Sequence, residues 1–152
     1  MSDFRKIDES HYGVPGSDFL DEIEGAGELD SKNARYIVSY DRYLRTTIDS
    51  DDFPYTKTFS VNASSSQIRV ALFWLKQNTV SDHESGAVTT VPLTDLDLYV
   101  KDPNGSVVGS SRTGNNNVEI VEFDPTISGT YTIEVRRFAG TADRDSFGLA
   151  WW

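Results

Sequence analysis

The stretch Thr94–Val100, TDLDLYV, decides the fold. Leu96, Leu98 and Val100 alternate with Asp95, Asp97 and Tyr99, the period of two that a β-strand with one apolar and one polar face requires. The apolar side needs a second layer to pack against, so a sheet with a partner layer is already implied. The polar side aims two carboxylates at one spot, and such a pair repels itself unless something neutralises it. With no cysteine and only two histidines in the chain, and with side-chain and carbonyl oxygens as the available donors, the fitting neutraliser is a hard cation such as calcium.

Outward from this strand the same signals repeat. DPNG at Asp102–Gly105 reads as a turn joining it to Ser106–Ser110 as a hairpin, with Asn and Gly suited to the positive φ that such turns need. Thr56–Val61, Val118–Phe123, Tyr131–Val135 and Phe147–Trp151 are rich in β-branched and aromatic residues. In Gln67–Leu75 the alternation of Ile68, Val70, Leu72 and Trp74 marks a buried face, and Ala71, Phe73 and Leu75 suggest burial of the other face as well, as in a central strand. Gln77–Pro92 has no periodicity and reads as a long surface loop. Many short strands separated by turns, with no alternating helices, predict an antiparallel β-sandwich of about seven or eight strands.

Ahead of the strands the chain changes character. Met1 to about Gly27 is acidic loop and turn material, including HYGVPG and EGAGEL. Asp30 or Ser31 then caps a predicted helix with Ala34, Ile37, Val38, Tyr43 and Leu44 near one stripe, ending before Thr46–Ser50. The expected organisation is an N-terminal loop and helix segment over residues 1–48 and a β-sandwich over residues 49–152.

Composition narrows the function classes. The 152 residues suffice for one domain plus a short extra element. A formal charge of -10 argues against nucleic acid and anionic membrane as partners. The absence of cysteine removes disulfides and thiol chemistry, so a secreted form relies on packing and metal. No run approaches the ~20 apolar residues of a membrane span, and the first residues, MSDFRKIDES, lack the apolar core of an export signal.

Five pieces, in order, carry a family resemblance: QIRVALFW at Gln67–Trp74, TDLDLYVKDPNG at Thr94–Gly105, NNVEIVEF at Asn116–Phe123, SGTYTIEV at Ser128–Val135, and SFGLAW at Ser146–Trp151. From Thr56 to Trp152 the chain resembles the C-terminal jelly-roll β-sandwich domain of secreted bacterial and archaeal subtilisin-like serine proteases, related to the pre-peptidase C-terminal and proprotein-convertase P domains. The chain departs from that pattern at two places, three residues in all. Thr94 stands where the family usually has Asn, and Leu75 and Lys76 stand where it often has Ser or Thr and then Asp. GAGELDSKNA, at residues 25–34, also resembles the glycine-rich turn and final helix that close a subtilisin-like catalytic domain. The resemblance implies an all-β fold, an antiparallel jelly-roll-like sandwich preceded by a helix and loop segment. It further implies an extracellular accessory domain, cut from a longer precursor that holds the export signal. Its partners would be a subtilisin-like catalytic domain in the same parent chain and a protein or polysaccharide substrate.

The candidate calcium ligands are Asp95 and Asp97 on one strand, Asn116 and Asn117 on the approach to a second, and Glu119 on that strand. They are oxygen donors from two segments, part of the 6 to 8 that calcium takes. The alternative is that Asp95 and Asp97 merely face solvent and that the asparagines form an ordinary turn. Asp49, Asp51 and Asp52 form a second acidic cluster, read more simply as solvated linker charge. A catalytic role fails on inventory, because neither His11 nor His83 falls in a catalytic motif and no serine lies in a nucleophile elbow. A binding module would need exposed rings. Tyr99 and Trp152 are the candidates by parity, while Trp74 and Trp151 belong to the core.

Overall fold

The computed structural model describes residues 31–65, 67–75, 94–114, 116–140 and 143–152. A helix, α1 (Ser31–Ser39), precedes eight strands: β1 (Tyr43–Asp49), β2 (Tyr55–Val61), β3 (Ile68–Trp74), β4 (Asp95–Lys101), β5 (Val107–Ser111), β6 (Val118–Phe123), β7 (Gly129–Ala139) and β8 (Arg144–Trp151). The strands form two antiparallel four-stranded sheets, ordered β1-β8-β3-β6 and β2-β7-β4-β5. Only β4 and β5 are sequence neighbours that pair within a sheet; the other connections between described strands cross from one layer to the other. This is the jelly-roll arrangement, in which each sheet is assembled from strands remote in sequence.

Alternation drives the packing. Val70, Leu72 and Trp74 on β3 and Leu96, Leu98 and Val100 on β4 are buried, as are Tyr131, Ile133 and Val135 on β7 and Phe147, Leu149 and Trp151 on β8. Phe123 stacks on Tyr131 with ring centroids 5.4 Å apart, and Phe59 meets Trp151 at 6.0 Å, so aromatic contacts close the end of the core where the chain finishes. The DPNG turn forms as the sequence predicts. Asp102 accepts from Gly105 N at 2.9 Å through its carbonyl, and its Oδ1 accepts from the backbone N–H groups of Asn104 and Ser106 at 2.9 and 2.8 Å. Gly105 takes the positive φ, 84°, while Asn104 keeps a negative one.

Three expectations are corrected. The helix ends at Ser39, and Tyr43 and Leu44, which the apolar stripe assigned to it, begin a strand paired with β8 from Tyr43↔Ala150 to Asp49↔Arg144. The pairing wins because β8 offers a continuous edge, whereas α1 buries none of its residues. β3 is central in its hydrogen bonding, between β8 and β6, yet Phe73 is 48% exposed and Leu75 60% exposed. No layer covers that outer face among the described residues, so burial is one-sided. Finally β7 runs beyond Tyr131–Val135 at both ends and β8 starts at Arg144, ahead of Phe147. The predicted loops at Met1–Gly27 and Gln77–Pro92, together with His11 and His83, lie outside the described residues.

Candidate functional site

One end of the sandwich gathers buried charge. Here β4 and β8 begin, β5 and β7 end, and β6 starts. Asp95, Asp97, Glu119 and Asp145 are all buried, with Thr94 beside them. Burying a carboxylate is costly unless donors or cations surround it, and each of these acids has its own solution.

Glu119 sits on β6 with the parity of Val121 and Phe123, so it points toward the core and is 1% exposed. Its Oε1 accepts from Thr113 N and Thr113 Oγ1, both at 2.7 Å, and Ser111 Oγ donates to its Oε2. The carboxylate therefore anchors the connection from β5 to β6. Desolvation pushes its carboxyl above the usual carboxylate range; the Ser111 and Thr113 hydrogen bonds oppose this, and the charge of Asp97 adds to it. Asn117 locks the same connection to β3, its Nδ2 donating to Trp74 O at 3.0 Å while Trp74 N donates to Asn117 O at 3.1 Å.

Asp97 is 7% exposed. Burial raises its carboxyl, and the Tyr99 hydroxyl, which donates to Oδ2 at 3.3 Å, pulls the other way together with the charges of Arg112 and Arg136. Arg136, the cross-strand neighbour of Asp97, also lies over the Tyr99 ring at 4.1 Å. Asp95 is 8% exposed, and its Oδ2 lies 3.8 Å from where a Cβ on Gly114 would stand, which puts it against the loop that follows β5. The pairing register shifts between Asp95 and Leu96, so the alternation expected to aim both aspartates at one spot is interrupted between them. Asn116 is half-buried on the same loop.

The structure thus brings Asp95, Asp97 and Glu119 to one end, beside the loop that carries Asn116 and Asn117. It does not join them in a single shell: among the described residues no group of three or more His, Cys, Asp or Glu is placed to hold a metal. The Asp49, Asp51 and Asp52 cluster is exposed, with Asp49 Oδ1 ion-paired to Arg144 Nε at 2.6 Å and Asp51 accepting from Ser50 Oγ at 3.3 Å.

Sequence reasoning missed the neighbouring lock. Thr94 Oγ1 donates to Asp145 Oδ1 at 2.7 Å, Arg137 Nε lies 3.3 Å from Asp145 Oδ2, and Trp74 Nε1 donates to Thr94 O at 2.8 Å. Gly140, at φ 126°, passes so close that a Cβ there would lie 2.9 Å from Thr94 Cα. Parity held a usable signal: Asp145 alternates in step with Phe147, Leu149 and Trp151, so a carboxylate was due on the core side of β8.

A family model for the bacterial pre-peptidase C-terminal domain matches residues 55–137. The chain belongs to that family. Domains of this kind are non-catalytic and stand C-terminal in secreted bacterial proteases. The match to the pre-peptidase C-terminal domain begins with β2 and ends within β7, so β1 and β8, which complete the first sheet, lie beyond it. No described helix is long and apolar enough to cross a membrane.

Proposed function

We propose that this pre-peptidase C-terminal domain is the extracellular accessory domain of a subtilisin-like serine protease, stabilising the catalytic domain and helping it engage substrate. Family membership supplies the class, and α1 carries the finer reading. The sandwich is complete from β1 to β8 without α1, which buries no residue and leaves the side chains of Tyr36 and Val38, and of Tyr40 just beyond it, exposed. A helix with apolar side chains that its own domain does not cover suits the closing helix of a catalytic domain, and GAGELDSKNA resembles that segment; its first six residues lie outside the described ones. The test is to heat the parent protease with and without residues 43–152, the whole sandwich from β1, and follow the loss of peptidase activity. A half-life that shortens severalfold on deletion supports the reading, and an unchanged half-life overturns the stabilising role.

Calcium is the cofactor of this proposal. Asp95 and Asp97 fit a hard cation, being buried acids beside a loop that offers Asn116 and backbone oxygens. Asn117 and Glu119 fit less well, since the Asn117 amide and both Glu119 oxygens already take part in protein hydrogen bonds. A bound calcium would neutralise the aspartates and tie β4 to that loop. The second reading, a carbohydrate- or protein-binding module independent of protease stability, draws less support: the rings of Tyr99 and Trp152 are half-buried, stand on different parts of the sandwich, and that of Tyr99 lies under Arg136.

A further inference from the structure

Among the described residues, the opposite end of the sandwich holds an open groove of about 840 Å³ between α1, the end of β2 and the start of β3. Its floor is apolar, formed where Phe59 and Ile68 close the core, and its walls are not. Arg42 and Arg69 contribute guanidinium groups, Tyr36 and Trp152 contribute rings, and Asn62 and Gln67 contribute amides. In a chain of net charge -10, two arginines opening into one groove run against the overall charge. Arg69 is ion-paired with Glu122. Arg42 has no carboxylate partner among the described residues; its guanidinium is instead held over the Tyr36 ring, 4.9 Å from the centroid.

We infer that this groove binds a carboxylated polysaccharide, a chain bearing uronate-type sugars. The Trp152 ring presents a flat face for the apolar side of a pyranose unit, amides and hydroxyls exchange hydrogen bonds with sugar hydroxyls, and the Arg42 guanidinium, held from one face by Tyr36, keeps its N–H edge for a carboxylate in a bidentate fork. The volume is that of an oligosaccharide rather than a single ion, since pockets of roughly 300 to 1,000 Å³ enclose ligands of drug size. The mixed lining also argues against inorganic phosphate, which needs converging N–H donors and no ring platform. The groove lies at the other end of the sandwich from Asp95 and Asp97, so the inference does not depend on calcium; it does require the Tyr36 face of α1 to stay on the groove when a catalytic domain packs on Val38 and Tyr40.

The experiment is affinity electrophoresis of the full chain through gels containing polygalacturonate, the same polymer with its carboxyls reduced to alcohols, or poly-glutamate. Wild-type, Arg42→Gln, Trp152→Ala and Asp97→Ala proteins are run together, and circular dichroism checks that each is folded. Retardation by polygalacturonate alone, reduced at least tenfold in Arg42→Gln and Trp152→Ala and kept in Asp97→Ala, is the expected result. Equal retardation in the reduced polymer would show that no carboxylate is read and would overturn the inference. So would equal retardation by poly-glutamate, which would assign the groove to acidic peptide, and so would no retardation or an unaffected Arg42→Gln. Loss in Asp97→Ala with the other variants intact would move binding to the opposite end and equally overturn it.

Discussion

Asp97 and Glu119 sit where burial, on balance, favours their neutral forms, whereas Glu134, on β7 beside the Asp97 strand, does not. Burial pushes Glu134 up as well, but hydrogen bonds from Lys101 and Arg136 outweigh it and carry its carboxyl below the usual range. The pH dependence follows with opposite signs. Asp97 and Glu119 bind protons more tightly when folded, so their stabilisation is complete below the ordinary carboxylate range and is lost as pH rises through their raised values. Glu134 contributes above that range and loses its contribution as pH falls through its lowered value. Glu119→Gln isolates the first effect, because a glutamine can accept both Thr113 bonds through its oxygen and donate to Ser111 Oγ through its nitrogen. Urea midpoints measured from about pH 4 to 7 should fall less steeply in this variant than in the wild type. An identical slope would show that Glu119 is not a source of the dependence. Thr94→Val tests the neighbouring lock. It leaves buried Asp145 without its hydroxyl donor and should cost about 1–3 kcal/mol by urea denaturation, with Thr94→Ser restoring most of the loss.

At the scale of elements, α1 and β1 divide at Arg42, whose carbonyl accepts from Trp151 N. A chain starting at residue 42 should melt within about 2 °C of the full protein, since α1 buries nothing. A chain starting at residue 50 loses all seven β1–β8 pairs and should melt far lower or fail to fold. Equal melting of the two truncations would mean that β1 adds nothing. The strands themselves were legible: β2, β3, β4, β5 and β6 fall within a residue or two of where alternation put them. β1 was not, because Tyr43 and Leu44 also suited a helical stripe and local periodicity says nothing of a partner a hundred residues away. The acidic end was legible in part. Alternation brought Asp97 to the polar face of β4, but the register shift after Asp95 depends on pairing with β7, and the capture of Glu119 by Ser111 and Thr113 depends on how the loop folds back. Neither has a local signature.

For the whole molecule, calcium binding restricted to the native state should raise the melting temperature by roughly 5–10 °C at about a hundredfold excess over Kd. A calcium titration after chelation, with magnesium as control, checks this. Asp97→Ala should abolish most of the rise, and a full rise in that variant would remove Asp97 from the site. The layering carries a separate consequence for how the chain is made. Among the described strands β1 is the earliest to leave a ribosome, yet its hydrogen-bonding partner is β8, the latest. While the strands between them are made, and through export if the chain is threaded N-terminus first, β1 waits as a bare strand. Its sheet can be completed only when Trp151 arrives. Assembly of the sandwich then waits on β8, slow in the way of folds built from distant pairings, and a chain that stalls or is clipped before β8 presents an unpaired edge open to aggregation.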